Sequence, residues 1–146
     1  MSANKEPIFV LRPRTKGSIM SSAAVVSSNP GNTTNMTEIF HCTCADHSRI
    51  DSIEVVNAAA SVESSTGMIV KLFHLESGAT APTILREVVL PATTRGAATI
   101  GAAANFVFPG GLLLETGQKL FTSQSVHADA NDDLAVVVRG GDFSLV

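Results

Sequence analysis

The feature that most constrains this chain is a period of two. From Thr37 onward apolar and polar residues alternate in short runs, and clusters of Gly, Pro, Asn, Asp and Ser separate them. Successive side chains of an extended strand point to opposite faces, so such alternation builds half-buried strands; a helix needs apolar residues three or four apart. Thr37 to Cys44 places Phe40, Cys42 and Cys44 on one face and Ile39, His41 and Thr43 on the other. Ile50 to Asn57 sets Ile53 and Val55 together, and Met68 to Leu75 sets Met68, Val70 and Leu72 against Ile69, Lys71 and Phe73. Ile84 to Leu90 follows, closed by Pro91, which belongs at a strand end or edge. Thr93 to Asn105, rich in Ala, Thr and Gly, reads as a loop or as a short helix around Gly101 to Ala104. Pro109-Gly110-Gly111 reads as a turn after Phe106-Val107-Phe108. Leu112 to Glu115 and Gln118 to Val126 flank Thr116-Gly117, which reads as a two-residue hairpin turn. Leu134 to Arg139 is the last strong strand, and Gly140-Gly141-Asp142 punctuates the chain after it.

Seven or eight short strands at ~8–12-residue spacing predict an all-β fold, a β-sandwich of jelly-roll type. The 146 residues suit one such core. Residues 1–35 read as an extended N-terminal arm holding one or two strands, and residues 36–146 as the sandwich domain.

Composition enters where partners are concerned. Only 16% of the residues are charged, against ~25% in ordinary soluble domains. The difference is made up by 15 Ser, 13 Thr and 18 Ala, so the surface is polar but weakly charged. Trp and Tyr are absent, which argues against sugar platforms and base-stacking surfaces. The net charge of −3 divides unevenly: residues 1–20 carry +3, from Lys5, Arg12, Arg14 and Lys16 against Glu6, and the remainder carries −6. A basic segment on an acidic body suits an acidic neighbour. Four bases without interleaved aromatics are few for phosphate binding, so no direct nucleic-acid role is expected. No run approaches the ~18–20 apolar residues of a membrane span, and Ile8 to Leu11 is too short for the core of a signal peptide. The expectation is synthesis in a cytoplasm without a membrane partner, where the sequons Asn32-Thr33-Thr34 and Asn35-Met36-Thr37 carry no weight.

Chemistry is sparse. His41-Cys42-Thr43-Cys44 with His47 offers the thiolate and imidazole ligands that zinc takes. Strand alternation sends His41 away from the two cysteines, however, and no second Cys pair closes a four-ligand site. Two small buried thiols is the simpler reading. Cysteines two apart on a strand are poorly placed to bridge each other, so Cys42 and Cys44 are candidates for an intermolecular disulfide. Asp129, Asn131, Asp132 and Asp133 lack the glycine and the closing glutamate of a calcium loop and read as turn-formers. No nucleophile elbow, phosphate loop or His-Glu-x-x-His occurs, so no enzyme, cofactor or metal is expected. A cupin-like site would need His41, His74 and His127 to converge with Glu38 or Glu87, and no spacing supports it.

Five runs carry a resemblance: Ser48 to Asn57, Met68 to Phe73, Leu85 to Ala92, Leu112 to Leu120 and Leu134 to Asp142. In strand cadence, residues 37–142 resemble the small structural virion proteins of tailed bacteriophages; no catalytic motif takes part. That resemblance implies a capsid decoration (cement) protein, made in the host bacterial cytoplasm and located in the virion. Its partners would be itself, as a homo-oligomer with a trimer favoured, and the major capsid protein or another virion protein. The candidate assembly contacts are then Lys5, Arg12, Arg14 and Lys16. A neck or tail adaptor is the alternative within that class. Outside it stands a small jelly-roll ligand-binding protein or cupin-like metalloenzyme.

Overall fold

A computed structural model of the chain describes residues 12–21, 27, 29–58, 64–94, 101–128 and 130–143. They form ten strands: β1 (Arg12–Met20), β2 (Thr37–His41), β3 (His47–Asn57), β4 (Ser64–Ser65), β5 (Met68–Leu75), β6 (Thr83–Leu90), β7 (Thr93–Thr94), β8 (Ala103–Glu115), β9 (Lys119–Gln124) and β10 (Leu134–Asp142). A single 3-10 turn, Ala130–Asp132, precedes the last strand. Two antiparallel four-stranded sheets result, ordered β1-β10-β3-β8 and β2-β9-β5-β6, and β4 pairs with β7 in a small ribbon.

Setting that ribbon aside, the first long strand pairs with the last, the second with the seventh, the third with the sixth and the fourth with the fifth. Such nested pairing, folded over once, is a jelly roll. The expected all-β sandwich is the observed fold.

Alternation explains the core. In β10 Leu134, Val136 and Val138 are buried, and in β3 Ile50, Ile53 and Val55 are. They meet Phe40, Val70, Leu72, Leu90 and Leu120 of the second sheet in one cluster. Each such side chain contributes ~1.5–3 kcal/mol when fully buried, so the inner faces hold the sandwich together. The phase of β3 slips between Ile50 and Ser52, where Asp51 stands out of register. That slip lets Ser48 and Ile50 face inward together with Ile53 and Val55. Across from it, β10 shifts at Arg139/Gly140, where a Cβ on Gly140 would lie 2.1 Å from the Arg49 carbonyl oxygen. Only glycine permits that approach.

Three local readings are corrected. Pro109-Gly110-Gly111 does not end a strand: β8 runs from Ala103 to Glu115, and residues 108–111 bulge out opposite Asp51. Gly110 and Gly111 take positive φ, which brings the chain back into register. Arg86 of β6 pins the bulge, donating to the Val107 carbonyl at 3.1 Å with its guanidinium 5.1 Å from the Phe108 ring centre. Thr116-Gly117 does turn, with the Gln118 N–H on the Glu115 carbonyl at 3.0 Å, but it is not a hairpin. It carries the chain from the first sheet to the second, where β9 pairs with β2 on one edge and β5 on the other and is buried from Leu120 to Gln124. Finally, Ala103 and Ala104 already pair with Val56 and Val55, so no helix forms there.

Candidate functional site

Three of the four basic residues singled out from the sequence, Arg12, Arg14 and Lys16, fall on β1. Lys5 lies outside the described residues. Arg12–Met20 belongs to the stretch read as an extended arm; it is extended, and it pairs with β10 over its whole length as the edge of the first sheet. Its alternation puts Arg14, Lys16, Ser18 and Met20 toward the sandwich and Pro13, Thr15, Gly17 and Ile19 away from it. Arg14 is engaged within the chain: its Nη1 lies 3.3 Å from both carboxylate oxygens of Asp142, and its guanidinium sits 4.8 Å above the Phe40 ring. It thereby ties the edge of the first sheet to β2 of the second. Arg12, exposed, and Lys16, half-buried, have no ionic partner among the described residues.

Beneath Arg14 the same network reaches the cysteines. Ser48 is fully buried and its hydroxyl donates to Asp142 Oδ1 at 2.6 Å, while the carboxylate itself is nearly inaccessible. Ser48 Oγ also lies 3.2 Å from Cys42 Sγ and 3.3 Å from Cys44 Sγ, and the two sulfurs are 3.2 Å apart. Burial pushes the Cys42 thiol above its ordinary value, opposed by the Ser48 contact and reinforced by Cys44.

The sequence places both thiols on a strand, where they would point in parallel. In the structure β2 stops at His41, and residues 44–46 bend. The Cys42 N–H donates to the Gln118 carbonyl at 3.0 Å, and the Gly117 N–H donates to the Cys42 carbonyl at 2.8 Å. Thr116 Oγ1 donates to the Cys44 carbonyl at 2.7 Å. This clamp, not strand geometry, turns the two side chains together.

Ser48 and Asp142 were not legible as site residues. Asp142 follows a Gly-Gly pair that looks like punctuation, and Ser48 acquires its inward phase only through the slip at Asp51. A Ser in phase with Ile50 was the one available signal.

The remaining candidates are dispersed. His41, the last residue of β2, and His74, next to last in β5, lie at the cysteine end of the sandwich, while His127 lies at the other end with Nε2 2.8 Å from Asp133 Oδ1. Glu38 pairs with Lys119 at 2.9 Å and Glu87 with Lys71 at 3.3 Å. No group of three His, Cys, Asp or Glu gathers as metal ligands among the described residues. Asp132 accepts the Thr66 and Ala128 N–H groups, each at 2.9 Å, so its carboxylate closes a turn. Among the described residues no helix is long and apolar enough to cross a membrane.

The outward face of the first sheet is open and carries exposed apolar side chains. Its rows run Ile19, Ala135, Val56, Ala103; then Gly17, Val137, Glu54, Asn105; then Thr15, Arg139, Ser52, Val107. Ile19, Val107 and Leu113 are 56%, 53% and 57% exposed. The charges between them are paired within the face, Arg139 with Glu54 at 3.0 Å and Arg49 with Asp51 at 2.9 Å.

No protein-family model matches this sequence, and no curated protein matches it either.

Proposed function

We propose that the chain is a structural virion protein of the capsid-decoration kind, which self-associates, with a trimer favoured, and attaches to an acidic capsid surface. The observation that carries this reading is the outward face of the first sheet. It exposes Ile19, Val107 and Leu113 on a surface of small and β-branched residues whose charges cancel pairwise. A second copy of such a face meets no net repulsion, and Ala, Val, Ser and Thr lose little side-chain freedom on docking. Many copies on a lattice let weak contacts add. Jelly rolls also serve as capsid domains, lectins and cupins, so the fold is compatible with this role without selecting it.

Attachment falls to Arg12 and Lys16, the β1 bases without an internal ionic partner among the described residues. Deleting the N-terminal residues would remove most of β1 and strip the edge of β10, so charge reversal is the cleaner perturbation. The test has two parts. Sedimentation of the full chain should give the mass of an oligomer, and I19E/V107E should convert it to monomer. Quantitative mass spectrometry of purified phage particles should find the chain in fixed ratio to the shell protein, with R12E/K16E lowering that ratio and added salt weakening attachment. A chain that stays monomeric at high micromolar concentration and is absent from particles overturns the reading.

A further inference from the structure

We propose that Cys42 and Cys44 form a reversible intramolecular disulfide, closed by exchange with a small disulfide of the glutathione class. The inference is independent of the virion reading.

Four observations carry it. The sulfurs are 3.2 Å apart and share Ser48 Oγ as a common neighbour. They are held there by a loop fixed at both ends by backbone bonds to Gly117 and Gln118 and by Thr116 Oγ1. Pre-positioning of this kind removes most of the entropy cost of bringing two groups together. Third, Cys42 is 0% and Cys44 4% exposed, so in the folded chain neither thiol can reach a cysteine of another copy. The intermolecular pairing suggested by strand alternation therefore requires this region to open in two copies at once, whereas the intramolecular one requires opening in a single chain and an approach of the sulfurs by only about 1.2 Å. Fourth, the two thiols differ in access, which sets the order of events.

Cys44, the less buried, meets the oxidant during local opening of residues 42–46. Its thiolate attacks one sulfur of the small disulfide, forming a mixed disulfide and expelling one thiolate. The Cys42 thiolate then attacks the Cys44 sulfur, forming the Cys42–Cys44 bond and expelling the second thiolate. The two protons released by the cysteines are taken up by the two leaving thiolates, so two electrons pass to the oxidant and two small thiols result. Cys42, the more deeply buried of the two, is the resolving thiol and not the first to attack. Ser48 remains bonded to Asp142 throughout, and the Arg14 anchor is not disturbed.

The experiment uses the full chain incubated with oxidised glutathione, followed by denaturation, alkylation and mass spectrometry. No Lys or Arg lies between Gly17 and His47, so both cysteines fall in one tryptic peptide ending at Arg49. The expected product is that peptide two hydrogens lighter and unalkylated, from a protein that runs as a monomer on a non-reducing gel. C42S should stop at one glutathione adduct on Cys44, and C44S should react at least about tenfold more slowly because the remaining thiol is the buried one. C42A, which keeps the small apolar volume, replaces C42S if that variant misfolds. A disulfide-linked dimer, a stable glutathione adduct on the wild type, or two thiols that still alkylate would each overturn the proposal.

Discussion

The two ends of the sandwich both collect polar side chains, yet they use them in opposite ways. At one end, the 3-10 turn spends its groups on the backbone. Asp132 accepts two N–H groups, Asn57 Nδ2 donates to the Asn131 carbonyl at 2.8 Å, and the Ala58 N–H donates to the Asp133 carbonyl at 2.7 Å. At the other end, side chain meets side chain. Arg14, Asp142, Ser48, Cys42 and Cys44 form one chain of contacts, with 128 residues separating Arg14 from Asp142 and 94 separating Ser48 from Asp142. The first end is long-range too, with Thr66 and Asp132 66 residues apart and Asn57 and Asn131 74, but each of these bonds has a backbone group on one side. The second exists only once β1, β3 and β10 have come together, and it is lost as a unit.

That contrast can be broken most directly at Asp142. D142A leaves the Arg14 guanidinium and the Ser48 hydroxyl without their acceptor, and breaking a buried pair costs about 3–5 kcal/mol. Because the Arg14 side chain is 29% exposed, about 2–3 kcal/mol is expected, read as a lower denaturation midpoint with unchanged slope. D132A at the opposite end should cost about 1–2 kcal/mol, the loss of a cap on two backbone donors. Equal losses in the two variants would erase the distinction drawn here. S48A removes one hydroxyl from the centre of the network and should cost about 1 kcal/mol, and combined with D142A it should add less than its own value, as a double-mutant cycle would show.

The smallest effect is alkaline. Cys42 titrates above its ordinary 9.0 in the folded chain, so between that value and its folded pKa the unfolded chain has lost a proton that the folded chain keeps. The contribution of Cys42 to stability is therefore flat below about pH 8 and falls as pH rises past 9.0, and C42A should show a shallower fall in the same range. Parallel curves for the two proteins would remove the thiol from the account.

The same distinction explains what could be read in advance. Met68–Leu75 and the run beginning at Leu134 are strands where the pattern placed them, although each shifts register against a neighbour, at Leu72/Phe73 and at Arg139/Gly140. Turn residues were legible too: Asp132 closes its turn as Asp and Asn ordinarily do. What alternation does not encode is which sheet a strand joins. Lys119–Gln124 looks like the second arm of a hairpin, yet it crosses to the other sheet and pairs between β2 and β5. Slips escape for a related reason. At Asp51 and at residues 108–111 the period changes phase, and a reading that assumes constant phase misplaces the side chains beyond it. The cysteine network depends on one such slip and on partners drawn from opposite ends of the sequence.

The pairing of β1 with β10 has a consequence for synthesis. Arg12–Met20 leaves the ribosome first but has its hydrogen-bonding partner only when Leu134–Asp142 has followed. β10 also lies between β1 and β3, so the first sheet cannot close until translation has passed Asp142. A nascent chain of this protein must keep the apolar faces of β1 and β3 out of trouble until β10 has emerged. Slow elongation late in the message should therefore raise aggregation more than the same delay placed early.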